Sequence, residues 1–201
     1  MIDRKQDCPF CESSSSSVGY TNNNGSSIVY KTGEEVKYNW FGFLQPSTPS
    51  SLETGFNIQL MPLGHLESFD EIIGSAETPG DYELAQNLGI GLAKLSRAIQ
   101  IIRKEEWKNE RGLFVPAQIL YGKCLTPENT QPHLHVKLLE FSGPVAQAFP
   151  TDAGWTKKTI YEPDATHPLR YVTADPTDKG RLPTERLGRL KSRLIEICNN
   201  I

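Results

Sequence analysis

The segment His133-Leu134-His135-Val136-Lys137-Leu138-Leu139 alternates polar and apolar side chains with a period of two. That period belongs to an extended strand, so His133, His135 and Lys137 share one face while Leu134, Val136 and Leu138 share the other. A strand with an apolar face must lie on a core, which demands neighbouring strands and a covering layer. The neighbours can be read in the same way. Phe56, Ile58 and Leu60 alternate with Asn57, Gln59 and Met61 up to Pro62, which predicts a half-buried strand. Residues 28–30 and 36–44 read as a hairpin, and residues 113–120 as a further strand interrupted by Pro116. Residues 121–132 then form a loop before the alternating strand.

The covering layer is helical. Leu84, Leu88, Leu92, Leu95, Ile99 and Ile102 recur at spacings of three and four, which puts one apolar stripe along a helix from about residue 80 to residue 106. Thr78-Pro79-Gly80-Asp81 would start it with a capping hydroxyl, a proline at the first helical position and an acid in the first turn. Leu187, Leu190, Leu194, Ile197 and Cys198 predict a second amphipathic helix over residues 184–198, after an irregular stretch at 143–183. The expected fold is α+β, an antiparallel sheet of about five strands with a long amphipathic helix and a C-terminal helix. Residues 1–150 form the main domain, and residues 151–201 pack on it.

Chemistry is concentrated in few residues. The chain has 201 residues, four cysteines and four histidines. Cys8-Pro9-Phe10-Cys11 can grip one metal ion from a tight turn, with the remaining ligands supplied from elsewhere; a redox pair or two plain thiols are the alternatives. A Ser-, Asn- and Gly-rich stretch at residues 12–27 reads as a loop. His65, after Pro62, and His167, in a loop, carry no strong signal alone. His133 and His135 side by side would repel if both were protonated, and a metal or an anionic ligand resolves that conflict. A net charge of −3 disfavours a dedicated nucleic-acid binder, and the basic run Lys94, Arg97, Arg103, Lys104, Lys108 and Arg111 reads as a solvated helix face. With neither an apolar leader nor a membrane-length apolar run, the expected location is cytoplasmic.

Four features in order carry a resemblance. They are Cys8-Pro9-Phe10-Cys11, the strand leading into Leu60-Met61-Pro62-Leu63-Gly64-His65, the amphipathic helix, and Asn129-Thr130-Gln131-Pro132-His133-Leu134-His135-Val136-Lys137. Over residues 8–141 this pattern resembles the histidine triad (HIT) superfamily, closest in motif to its galactose-1-phosphate uridylyltransferase and dinucleoside tetraphosphate phosphorylase branch. The resemblance implies a HIT-like, nucleotide-binding sheet. It also implies a structural zinc ion held by Cys8, Cys11, His65 and His133, a closed Cys2His2 shell with no open position.

The same resemblance makes His135 the nucleophile that forms a covalent nucleotidyl-histidine, with Lys137 beside it to neutralise phosphate charge. Asn57, Asn129, Thr130 and Gln131 fall at substrate-contacting positions. The implied activity is that of a nucleotidyl hydrolase or transferase acting on a nucleoside phosphate or phosphoanhydride, such as a nucleotide-sugar or dinucleotide. A homodimer is implied as well. Two departures support an alternative, a nucleotide-binding or interaction module with weak or no catalysis. Lys137 stands where the family has His or Gln, and Tyr121-Gly122-Lys123-Cys124 replaces the family's Asn-x-Gly element. Cys124 and Cys198 read as packing thiols.

Overall fold

The computed structural model describes residues 2–48, 56–74, 79–106, 118–123, 133–139, 155–161, 171–176 and 180–201. It is a mixed helix-and-sheet structure. In chain order the elements are α1 (Pro9–Ser14), β1 (Ser27–Lys31), β2 (Trp40–Leu44), β3 (Ser47–Thr48), β4 (Asn57–Pro62), α2 (Asp70–Ile73), α3 (Tyr82–Glu106), β5 (Gln118–Lys123), β6 (Leu134–Leu139), β7 (Trp155–Tyr161), β8 (Tyr171–Pro176), β9 (Gly180–Arg181) and α4 (Thr184–Asn200). The main sheet is antiparallel with order β1-β2-β4-β6-β5. β7 and β8 form a separate hairpin, and β9 pairs with β3.

The alternation in β6 resolves as the sequence demands. Leu134, Val136 and Leu138 join Ile58 and Leu60 of β4 and Trp40 and Leu44 of β2 in one core cluster. Leu84, Leu95, Ala98, Ile99 and Ile102 of α3 cover that face. The helix comes close through two glycines. A Cβ on Gly42 of β2 would stand 3.0 Å from Leu95 Cδ1, and a Cβ on Gly91 of α3 would stand 3.0 Å from Leu60 Cδ2. Each glycine thus receives a leucine from the opposite layer, and the helix seats directly on the strands. α4 adds Leu190, Leu194, Ile197 and Cys198 to the same cluster and packs against α3 and β1.

Several local expectations shift. β4 is buried on both faces rather than half-buried, because Met61 packs with Ile28, Phe41, Phe43 and Leu63 on the far side, where Phe10 of α1 rests against them. The Ser-rich stretch begins as helix, with Ser13 and Ser14 buried. Ser13 Oγ donates to the Pro9 carbonyl, and Ser14 Oγ donates to the carbonyls of Cys11 and Leu63. The second hairpin strand starts at Trp40 rather than residue 36.

Thr78 lies outside the described residues, and the cap of α3 is Asp81, whose Oδ1 accepts from Leu84 N–H at 3.0 Å. β5 runs to Lys123, so residues 121–123 belong to the sheet rather than to a loop; residues 113–117 lie outside the described set. Arg103 is buried, which removes it from the solvated face of α3, and Lys108 and Arg111 lie outside the described residues. Among the described residues no helix is long and apolar enough to cross a membrane.

Candidate metal centre

Three separate stretches of chain bring four potential metal ligands to one point. Cys8 caps α1, Pro9 occupies its first turn, and Glu12 N–H donates to the Cys8 carbonyl at 3.0 Å, so both sulfurs are held at the start of one helix. Asp7, immediately before, takes a left-handed backbone conformation (φ 65°) that turns the chain into Cys8, a conformation an aspartate tolerates better than most residues. His65 follows β4 and is fixed by its main-chain N–H, which donates to the Asp3 carbonyl at 2.8 Å. His133 leads into β6, and Leu134 N–H donates to the Leu66 carbonyl at 2.7 Å, tying the His65 loop to that strand. Gly64 lets the chain before α1 lie close, since a Cβ there would stand 2.5 Å from Ile2 Cγ2.

One ligand atom from each of Cys8, Cys11, His65 and His133 lies within 4.8 Å of the other three. Cys8 Sγ is 3.5 Å from His133 Nδ1, and Cys11 Sγ is 3.6 Å from His65 Nδ1 and 3.8 Å from His133 Nδ1. Both imidazoles therefore turn Nδ1 to the sulfurs. The opposite nitrogens face oxygen: His133 Nε2 is 3.3 Å from the Pro62 carbonyl, and His65 Nε2 is 3.4 Å from Glu67 Oε1. The Pro62 carbonyl can accept only from a protonated His133 Nε2, which leaves Nδ1 of that ring as a donor for a cation, while the Glu67 carboxylate stands behind His65 without a formed hydrogen bond.

The two rings meet edge to face with centroids 5.2 Å apart, and Phe10 tilts against His133. The thiols are strongly unequal. A hydrogen bond from Cys11, helped by His133, lowers the Cys8 pKa against its burial, while the same bond and burial raise that of Cys11. Two adjacent thiolates repel, and a metal cation is the charge that would let both ionise. An open recess lined by Arg4, Lys5 and Glu12 leads to the pair.

His133 and His135 are both buried, at 0% and 2% exposure. His133 joins the cysteines. His135, two residues on, lies opposite Gly122 of β5 in the strand register. Burial, reinforced by the Lys137 ammonium, lowers its pKa to about 4, so the ring is neutral near pH 7. Its Nδ1 has no hydrogen-bond partner among the described residues. Lys137 is half-buried and pairs in register with Gln59 of β4.

Asn57 is buried at the start of β4, opposite Leu139 in register. Asn129, Thr130, Gln131, Cys124 and His167 lie outside the described residues. Cys198 is a free buried thiol in the core beneath α4. Two residues escape the sequence reading. Gln59 shares a face with Asn57 by simple alternation, a signal that was available. Glu67 has no local signal, because its value lies in the position of the His65 ring. No family model, curated protein or solved structure matches this chain.

Proposed function

We propose that the chain is a zinc-stapled nucleotidyl hydrolase or transferase of the histidine triad type, with His135 as its nucleophile. The observation that carries this reading is the convergence of Cys8, Cys11, His65 and His133 immediately before the strand that bears His135. Zinc fits the donor set. Bonds of about 2.3 Å to sulfur and about 2.05 Å to nitrogen at a tetrahedral angle put neighbouring S and N atoms about 3.6 Å apart. The separations here are 3.5, 3.6 and 3.8 Å. Four protein ligands leave no open position, so zinc would supply structure: it would fasten α1 and the His65 loop to the entry of β6.

The chemistry then belongs to the side chains. A neutral His135 ring nitrogen would attack the phosphorus nearest the nucleoside of a nucleoside phosphate or phosphoanhydride. The P–N bond forms as the P–O bond to the leaving group breaks, and the leaving group departs with the electron pair. Water or a phosphate acceptor then attacks the same phosphorus, which breaks the P–N bond and restores the imidazole. Lys137 and Asn57 would offset phosphate charge and orient the substrate, together with Asn129, Thr130 and Gln131.

Incubation with nucleotides, nucleotide-sugars and dinucleotides labelled at the α-phosphate should give acid-labile label on the wild type and none on His135→Ala. The 2% exposure of His135 favours a second reading, a nucleotide-binding or interaction module on the same scaffold. Nucleotide binding without labelling or turnover across that panel would select it.

A further inference from the structure

We propose that Glu67 is the positioning carboxylate of the metal centre, holding the His65 ring in the orientation and tautomer that offer Nδ1 to the metal. This proposal rests on the metal reading above. The two histidine ligands are supported differently. Behind His133 stands a main-chain oxygen, that of Pro62, 3.3 Å from Nε2. Behind His65 stands a side chain, Glu67 Oε1, 3.4 Å from Nε2, while Nδ1 of the same ring lies 3.6 Å from Cys11 Sγ. His65 Nε2 is buried and has no hydrogen-bond partner among the described residues, and Glu67 Oε1, 3.4 Å away, is the oxygen placed to accept from it once a metal on Nδ1 orients the ring.

Glu67 is itself anchored at the main chain. The N–H groups of Glu67 and Ser68 both donate to Glu71 Oε1, at 2.8 and 3.1 Å, which fixes the backbone from which the Glu67 side chain reaches back. Lys5 Nζ lies 3.7 Å from Glu67 Oε1, and the Lys5 carbonyl accepts from Cys8 N–H at 3.3 Å. One carboxylate oxygen therefore touches the histidine side of the cluster and the segment that delivers the cysteines. A carboxylate behind a ligating imidazole fixes its tautomer and strengthens its donor nitrogen, and losing such a partner costs roughly 10- to 100-fold in metal affinity. The side chain of Glu67 is 46% exposed, so replacing it leaves the core intact.

The test is a zinc titration of the full chain against a chromophoric chelator, for the wild type and for Glu67→Ala, Glu67→Gln and Lys5→Ala. Zinc affinity should fall roughly 10- to 100-fold in Glu67→Ala. It should recover in part in Glu67→Gln, which restores an oxygen acceptor without charge, and stay at the wild-type value in Lys5→Ala. Nitrogen-15 NMR of the imidazoles gives a readout that general destabilisation does not move: the ring-nitrogen shifts of His65 should report the Nε2–H tautomer in the wild type and lose that bias in Glu67→Ala. Wild-type affinity in Glu67→Ala would overturn the proposal, as would an equal loss in Lys5→Ala, which would reduce Glu67 to half of a surface ion pair. A wild type that binds no zinc would overturn the metal reading itself, a result distinct from either of these. If Glu67→Ala does not fold, the near-isosteric Glu67→Gln decides, with a several-fold loss expected.

Discussion

Cys8 Sγ and His133 Nδ1 lie 3.5 Å apart across 125 residues of sequence. The contact joins the head of α1 to the residue that opens β6, and much of what can be tested follows from it.

Metal removal should loosen α1 and the adjoining ends of β4 and β6. Native protein should carry about one zinc per chain, and Cys8→Ser with Cys11→Ser should carry none. A site saturated at 100 times its dissociation constant stabilises the fold by about 2.7 kcal/mol. For a chain of this size that corresponds to roughly 5–10 °C in Tm. Calorimetry before and after chelation checks this, and an unchanged Tm together with metal-free native protein would sink the metal centre.

The two histidines of β6 should separate cleanly. His133→Ala removes a ligand, so zinc content and Tm should both fall. His135→Ala removes a ring that touches no cluster sulfur within hydrogen-bonding distance, and zinc content should stay near that of the wild type while phosphate labelling disappears. Elemental analysis of the two variants decides whether the division of labour is real.

Seating α3 on the sheet makes two glycines sensitive in different degrees. Gly42→Val must push aside Leu95, whose methyls would lie 3.0 and 3.2 Å from a new Cβ, and overpacking of this kind costs about 1–3 kcal/mol. Gly91→Ala meets Leu60 at 3.0 and 3.1 Å, but it gains up to about 1 kcal/mol of helix propensity. The two terms offset, so urea denaturation should show a clear loss for the first variant and a change within about 1 kcal/mol for the second.

Alkali should destabilise the protein through Cys198. Burial raises its thiol pKa from the ordinary 9.0 to about 11, against a smaller opposing effect of Lys94. Between these values the unfolded chain releases a proton that the folded chain retains. The stabilisation is therefore complete below pH 9 and is lost as pH rises toward 11, by an amount on the order of 3 kcal/mol. Cys198→Ala should lower stability at pH 7 through the lost packing and flatten the decline between pH 9 and 11. A decline of the same slope in that variant would assign the effect to other groups.

Much of this architecture is written in local periodicity. Alternation alone assigns Leu134, Val136 and Leu138 to one face, and spacings of three and four place Leu84, Leu95, Ile99 and Ile102 on the buried side of α3. The four potential ligands are legible too, because few side chains bind metal and this chain has few cysteines and histidines to choose among. Periodicity, however, reports which way a side chain faces and says nothing of what lies across from it. The burial of β4 on both faces depends on Phe10 returning from α1 to pack beside Met61 and Phe41. The start of α3 depends on Asp81 reaching Leu84 N–H, where the sequence also offered Thr78 and Pro79.

The turn of Nδ1 toward the sulfurs and the Pro62 carbonyl behind His133 bring together atoms a few ångströms apart in space and tens of residues apart in sequence, while Glu67 reaches the His65 ring from two residues along the chain. The sequence determined which residues could meet. The tertiary structure decided the angle at which they do, because that angle is the sum of every long-range packing contact between the strands and the chain that wraps them.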